Sequence, residues 1–249
     1  MPFTFVHPAI ILPLKKGFPR WFSMTGLIVG SLAPDFEYFI RMKIQSIYSH
    51  TILGTFTFNL PVGICLAFIF HLIVKKDLIE NLPTSWQRKL PALKELDWST
   101  YFKKNWLIVC ISILIGASSH IFWDAFTHRD VYFVELLDLK RTVTTYYIPI
   151  YKILQHLSTL VGGLLIMTYF FRMPTKASTT KKPSLKYWVS LAILTIMILI
   201  IRLVFGLNIY EYGNVIVSGI TAIMVSMVVF SFLKNKNERL KIKARLMKH

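Results

Sequence analysis

The stretch NWLIVCISILIGASSHIFWDAF, residues 105–126, combines an apolar run of membrane type with two ionisable side chains close to its end. About 20 apolar residues in a helix cross the hydrocarbon core of a bilayer. His120 and Asp124 lie four residues apart, and His128 follows at the same spacing, so all three share one stripe if the helix continues that far. Ionisable groups inside a membrane usually face a bundle interior, a cavity or a metal. The stretch therefore predicts a membrane helix that ends at a buried polar site.

The rest of the chain has the composition of a membrane protein. Of its 249 residues, 54% are hydrophobic and only 16% are charged, and the apolar residues lie in long blocks. A further segment, residues 21–41, contains Pro34, Asp35 and Glu37 and is predicted to be a broken or partly inserted helix. Five runs approach the spanning length, at about 53–74, 105–126, 153–171, 187–207 and 214–233.

The positive charge of the chain predicts its orientation. Lys and Arg number 29 against 12 Asp and Glu, a formal charge of +17, and they lie mostly between and after the apolar runs. This distribution favours a membrane-orientation signal over nucleic-acid binding. The loops at 75–104 and 172–186 and the C-terminal tail are basic and should be cytoplasmic, whereas 127–152 and 208–213 should face the other side. We therefore expect a multi-pass protein of the cell (inner) membrane with a cytoplasmic C-terminus, the lipid bilayer as its partner and no nucleic acid.

The same pattern predicts an order of segments along the chain. They are a membrane-embedded helical domain with the polar site at 1–171, a basic cytoplasmic loop at 172–186, two further transmembrane helices at 187–233 and a basic cytoplasmic tail at 234–249. The predicted fold class is all-α, a polytopic membrane bundle of five or six spans with a His/Asp cluster at its non-cytoplasmic end. The sequence leaves the oligomeric state open.

Further ionisable residues are predicted at the same face as the stripe. His50 precedes the first strong span at its outer end, Asp35 lies in the segment that leads into it, and His156 opens the third span. His7 reaches this place if the N-terminal stretch folds over it. Imidazole nitrogen and carboxylate oxygen suit zinc, and also iron or manganese. The combination favours a divalent metal site, although a lone His near an interface is more often structural and Asp35 also suits a helix cap after Pro34.

Four motifs carry a family resemblance. MPFTFVHPA (1–9), GSLAPDFEYFIR (30–41), YSHTILGTF (48–56) and GASSHIFWDAFTH (116–128) occur in this order. Over residues 1 to about 170 the chain resembles an uncharacterised bacterial membrane family, domain of unknown function 4184. That family is similar to membrane-bound metal-dependent hydrolases and, more distantly, to zinc-dependent phospholipase C enzymes. The resemblance implies Asp35, His50, His120 and Asp124 as metal ligands, joined by His7 and His128.

Together the residues and the resemblance favour a metal-dependent hydrolase at the outer, non-cytoplasmic interface of the membrane. The metal would be zinc, the substrate a phosphodiester or a lipid head group, and Glu37 or His128 the general base or a ligand to a second metal. Two alternatives stay open. One is a non-catalytic membrane protein in which the cluster holds a structural metal or forms a polar network. The other is a small transporter, which is disfavoured because the last two spans carry no ionisable residue near their middle.

Overall fold

A computed structural model describes residues 3–143, 147–177 and 179–246, with side chains to residue 236. These ranges contain helices and no strand, so the predicted all-α fold is confirmed. Five helices are long and apolar enough to cross a membrane, at Ile52–Asn81, Trp98–Asp124, Ile150–Arg172, Leu185–Val204 and Tyr212–Lys236. The helices are α1 (Pro8–Gly17), α2 (Met24–Leu32), α3 (Phe36–Arg41), α4 (Ile52–Asn81), α5 (Thr84–Gln87), α6 (Pro91–Glu95), α7 (Trp98–Asp124), α8 (Tyr132–Leu136), α9 (Ile150–Arg172), α10 (Leu185–Val204) and α11 (Tyr212–Leu246).

The chain forms two compact units, each built from separated stretches. The first unit contains Met1–Glu37, Ser46–Ala67 and Thr100–Met173, and the second contains Tyr38–Gln45, Phe68–Ser99 and Pro174–His249.

The predicted tail at 234–249 continues α11 as far as Leu246, and residues 247–249 lie outside the described ranges.

Within the first unit, the N-terminal segment contains a hairpin of two short helices. Helices α1 and α2 have 10 and 9 residues. At 1.5 Å per residue each is about 15 Å long, half of the roughly 30 Å hydrocarbon core. Helix α2 ends at Leu32, and a 3₁₀ turn over Ala33–Asp35 separates it from α3. The proline in that turn lacks a backbone donor, so the segment is a broken helix, as predicted.

Glycine allows α2 to pack very closely on α7. A Cβ atom at Gly30 would lie 2.2 Å from the backbone oxygen of Ile113, and one at Gly116 would lie 2.4 Å from the backbone oxygen of Leu27. Both distances are far below van der Waals contact, so neither position accepts a larger residue without displacement of a helix. Small residues at such crossings are the usual means of close helix packing in membranes. This contact fixes the position of α2 against the second half of α7.

In the second unit, Gln87 joins the two basic loops predicted from the sequence. Its side-chain amide donates hydrogen bonds to the backbone oxygens of Glu80, Leu82 and Lys181, at 3.2, 2.8 and 2.7 Å. Its side-chain oxygen accepts from the backbone nitrogen of Lys181 at 2.9 Å. Only 1% of Gln87 is exposed. Gln87 therefore binds the loop that follows α9 to the end of α4, together with the Lys181–Glu80 ion pair at 2.8 Å and a hydrogen bond from the Ser184 backbone nitrogen to Asn81 Oδ1 at 3.0 Å.

Replacing Gln87 with leucine should release this loop. The substitution removes four hydrogen bonds and leaves backbone groups without partners, which costs on the order of 1–3 kcal/mol for each buried group. We expect faster tryptic cleavage at Lys176 and Lys181 in the folded, detergent-purified protein. The matched control is Gln45→Leu in an exposed loop, which should cleave like the parent. Equal cleavage of the Gln87 variant and the parent would contradict this role.

Candidate metal centre

Four donor atoms lie close together in the first unit. Asp35, His50, His120 and Asp124 each contribute one, and all four atoms lie within 4.8 Å of one another. The His120 Nε2 atom is 3.5 Å from Asp35 Oδ1 and 3.2 Å from Asp124 Oδ2. The His50 Nε2 atom is 3.6 and 3.5 Å from the same two oxygens. Four ligands arranged tetrahedrally at about 2.0–2.1 Å from a zinc ion are about 3.3–3.4 Å apart, so the spacing fits one cation.

The local fold accounts for this convergence. Asp35 lies in the 3₁₀ turn after α2, and His50 lies in the turn before α4. His120 and Asp124 lie one turn apart at the end of α7, on the same helix face. Because α2 is held against α7 by glycine contacts, its last turn brings Asp35 to this face. The structure thus brings together the four residues that the resemblance implies as ligands.

The burial of these groups requires a compensating charge. Asp35 and His120 are fully buried, and 4% of Asp124 is exposed. Asp35 Oδ1, His120 Nε2 and both carboxylate oxygens of Asp124 form no hydrogen bond with any described residue. Buried carboxylates without donors or counter-charges are strongly unfavourable. A divalent cation could balance two carboxylates and could bond to the atoms that lack hydrogen-bond partners.

The hydrogen bonds of the two histidines orient their Nε2 atoms toward the carboxylates. His120 Nδ1 lies 2.7 Å from the backbone oxygen of Ser31 and must donate to it, which leaves the Nε2 lone pair facing Asp35 and Asp124. His50 Nδ1 lies 2.9 Å from Ser46 Oγ. Histidines that ligate metals commonly donate their second ring N–H in this way. Charge-assisted N–H···O bonds measure about 2.7–2.9 Å, so the longer distances at Nε2 favour a metal over direct ion pairs.

His7 also lies at the cluster. Its ring stacks on His120 with centroids 3.7 Å apart, and its Nε2 is 3.6 Å from Asp124 Oδ1. Burial, with His120 acting in the same direction, lowers the pKa of His7 to about 3, so the ring is neutral at pH 7. Neither ring nitrogen has a hydrogen-bond partner among the described residues. The N-terminal stretch therefore folds over the site, the condition under which the sequence predicts His7 as a further ligand.

Two of the three residues predicted to share a polar stripe, His120 and Asp124, lie on α7. Helix α7 ends at Asp124, so His128 does not lie on it. His128 instead follows a tight turn, in which its Nδ1 is 3.1 Å from the Asp124 backbone oxygen and 3.7 Å from Asp124 Oδ2. Burial lowers the pKa of His128. It stands at the edge of the cluster, where 27% of its side chain is exposed.

A model described as a domain of unknown function, DUF4184, matches residues 1–232 of the chain. The chain belongs to the DUF4184 family. No curated protein and no solved structure matches it. The DUF4184 match includes α9, α10 and most of α11, beyond the motifs that carry the resemblance in the sequence.

Two polar groups that the sequence pattern does not indicate also contact this site. The Thr4 hydroxyl donates to Asp35 Oδ2, and the Ser31 carbonyl holds His120. A threonine three residues before a histidine carries no specific signal, and a backbone carbonyl carries none at all. His156 is exposed on α9 and is not part of the four-residue group. Glu37 lies two residues after Asp35 and binds the loop that leads to His50, while its role as a general base stays a prediction.

Proposed function

We propose that this DUF4184 protein is a membrane-bound metal-dependent hydrolase that holds a divalent cation, zinc by its ligand chemistry, at Asp35, His50, His120 and Asp124. The supporting observation is the convergence of four donor atoms, with the buried carboxylate oxygens of Asp124 lacking any described hydrogen-bond donor. When bound, the cation supplies Lewis-acid chemistry, lowering the pKa of water and polarising a phosphoryl or acyl oxygen.

The partly exposed edge of the cluster is the proposed substrate-binding side. His50 and His128 are its partly exposed members, with 21% and 27% of their side chains accessible, whereas the side chains of the other three ligands are at most 5% exposed. His128 donates through Nδ1 to the Asp124 carbonyl, which leaves Nε2 as the basic nitrogen. In our proposal His128 accepts the proton of the attacking water as general base.

The exposed apolar surface beside the site supports an amphiphilic substrate. The residues on either side of His50 expose large apolar surface, including Tyr48 at 59%, Ile52 at 87% and Leu53 at 72%. Arg129 and Asp130 are exposed beside His128. A site edge between apolar and polar surface suits a lipid whose phosphodiester head group reaches the cation. From the basic loops we propose that this edge is non-cytoplasmic and that the C-terminus is cytoplasmic, which labelling of single cysteines in the loops at 127–152 and 172–186 tests.

Elemental analysis by mass spectrometry tests the metal site directly. The protein is purified in detergent without a metal-affinity tag, and the parent is compared with His120→Ala. We expect about one metal ion or more per parent chain and little in the variant, since a fully buried ligand is lost. Hydrolysis of phosphodiester lipids in mixed micelles should then require the metal and stop with a chelator. A folded parent that binds neither zinc nor manganese would overturn the proposal.

A non-catalytic role is the second candidate, favoured by one observation. His50 and His120 each lie between the same two carboxylates, so two protonated imidazoles would also balance the charge of the cluster. This arrangement is a structural polar network that needs no cation. Metal content distinguishes the two, and a bound metal without any lipid hydrolysis would instead indicate a structural metal.

A further inference from the structure

The loop before His50 folds around one buried carboxylate. Glu37 Oε1 accepts a hydrogen bond from the backbone nitrogen of Ile47, and Oε2 accepts from those of Tyr48 and Ser49, each at 3.0 Å. The hydroxyl of Ser46 donates to Oε2 at 3.3 Å. Only 2% of Glu37 is exposed. Four consecutive residues thus direct their donors at one side chain.

This arrangement makes the loop conformation depend on Glu37. Successive backbone N–H groups around an anion form a concave binding site, and their donors offset the cost of burying the charge. Without the carboxylate, three backbone N–H groups would lose their acceptor. The loop is also bound on its other side, where Asn59 Nδ2 donates to the Ser49 backbone oxygen at 2.7 Å. Both carboxylate oxygens of Glu37 are occupied by this loop, which favours an anchoring role over proton transfer.

A chain of hydrogen bonds connects Glu37 to His50. His50 Nδ1 lies 2.9 Å from Ser46 Oγ and 3.0 Å from Ser49 Oγ, and Ser46 in turn contacts Glu37. If Nδ1–H donates to Ser46 and the Ser46 hydroxyl donates to Glu37, every donor has an acceptor. The ring then presents its Nε2 lone pair to Asp35 and Asp124. This assignment of protons gives the tautomer of His50 that binds a cation.

His50 needs this support more than the other three ligands. Its side chain is 21% exposed, whereas those of Asp35 and Asp124 are 0% and 5% exposed. It also lies outside any helix, so no repeating backbone pattern holds it. We infer that Glu37 is a positioning residue, which orients His50 through the loop of residues 46–49 and thereby sets the affinity and geometry of the metal site. The inference rests on the metal site of the proposed function.

Cobalt binding tests the inference, because the visible spectrum of Co²⁺ reports its ligand geometry. Purified, metal-free parent and Glu37→Gln are titrated with Co²⁺, and the matched control is Glu95→Gln at an exposed position. We expect the Glu37 variant to bind 10–100-fold more weakly, the range usual for partners of metal ligands, with an altered spectrum. Hydrogen exchange at residues 46–50 should rise in the same variant, and the control should match the parent in all three measurements.

A second variant guards against misfolding of the first. Ser46→Ala removes one contact to the His50 ring and keeps the three backbone bonds to Glu37, and we expect roughly tenfold weaker Co²⁺ binding. A parent that binds Co²⁺ together with variants that bind it equally, with unchanged spectra, would overturn the positioning role alone. A folded parent that binds no metal would overturn the proposed function, and this inference with it.

Discussion

In the metal-free protein, replacing Asp124 with asparagine should leave the melting temperature unchanged or raise it. The Asp124 carboxylate is almost fully buried, and neither oxygen has a described hydrogen-bond donor. Asparagine keeps the shape and removes the uncompensated charge. In saturating zinc the parent should instead have the higher melting temperature. At a thousand times its dissociation constant a ligand stabilises by about 4 kcal/mol, which raises the melting temperature of the parent by roughly 8–16 °C and that of the variant hardly at all.

Thermal unfolding in detergent, with a chelator and then with zinc, measures both effects. The control is Asp130→Asn, because Asp130 is 75% exposed and pairs with Lys140 at the surface. It should respond to zinc like the parent. If the cluster is instead a network of ion pairs, removing one buried partner costs about 3–5 kcal/mol, and the metal-free Asp124 variant would melt well below the parent. The sign of the change therefore distinguishes a metal site from a network of ion pairs.

Replacing Gly30 with alanine should have the second large effect. The new Cβ atom would meet the Ile113 backbone oxygen at 2.2 Å, so α2 must move away from α7. Overpacking of this kind costs about 1–3 kcal/mol, or roughly 2–12 °C in melting temperature. The same shift draws the Ser31 carbonyl away from His120. We expect weaker metal binding together with the lower stability, although Gly30 is not itself a predicted metal ligand.

Gly219 provides the matched control. It lies within α11, and a Cβ atom there would meet nothing within 4 Å. Alanine at this position should retain parental metal binding and stabilise the helix by up to about 1 kcal/mol. Unchanged stability and zinc affinity of Gly30→Ala in the same assay would refute the close packing of α2 on α7.

The apolar runs were sufficient to predict the number and order of the long helices, but not their ends. The run at 105–126 corresponds to α7, which begins earlier, at Trp98, and ends earlier, at Asp124. A hydropathy pattern detects the part of a helix that suits the hydrocarbon core. In α7 this is the part that follows a kink at Asn105 (φ −129°, ψ 22°), and the helical turns before the kink include the polar residues Lys103 and Lys104. The end at Asp124 depends on the turn that His128 closes, which no periodicity reports.

The types of metal-ligating residue could be predicted from the sequence, but the groups that hold those residues in place could not. Asp35, His50, His120 and Asp124 stand out because ionisable groups are rare beside membrane runs. The inclusion of His7 depended on whether the N-terminal segment folds over the site, and the sequence contains no pattern that predicts the contact of His7 with His120. The role of Glu37 depends on backbone N–H groups, which every residue of the loop possesses and which therefore give no signal in a sequence.

The glycine-packed hairpin also has a consequence for biosynthesis. Helix α2 is translated well before the part of α7 on which it packs, and at 5–20 residues per second the interval is on the order of ten seconds. During that time the face that carries Gly30 lacks the surface of α7 on which it packs. His7 and Asp35 reach their final places only after α7 has been inserted. The site is therefore assembled late, by docking of an early-made segment onto a later one.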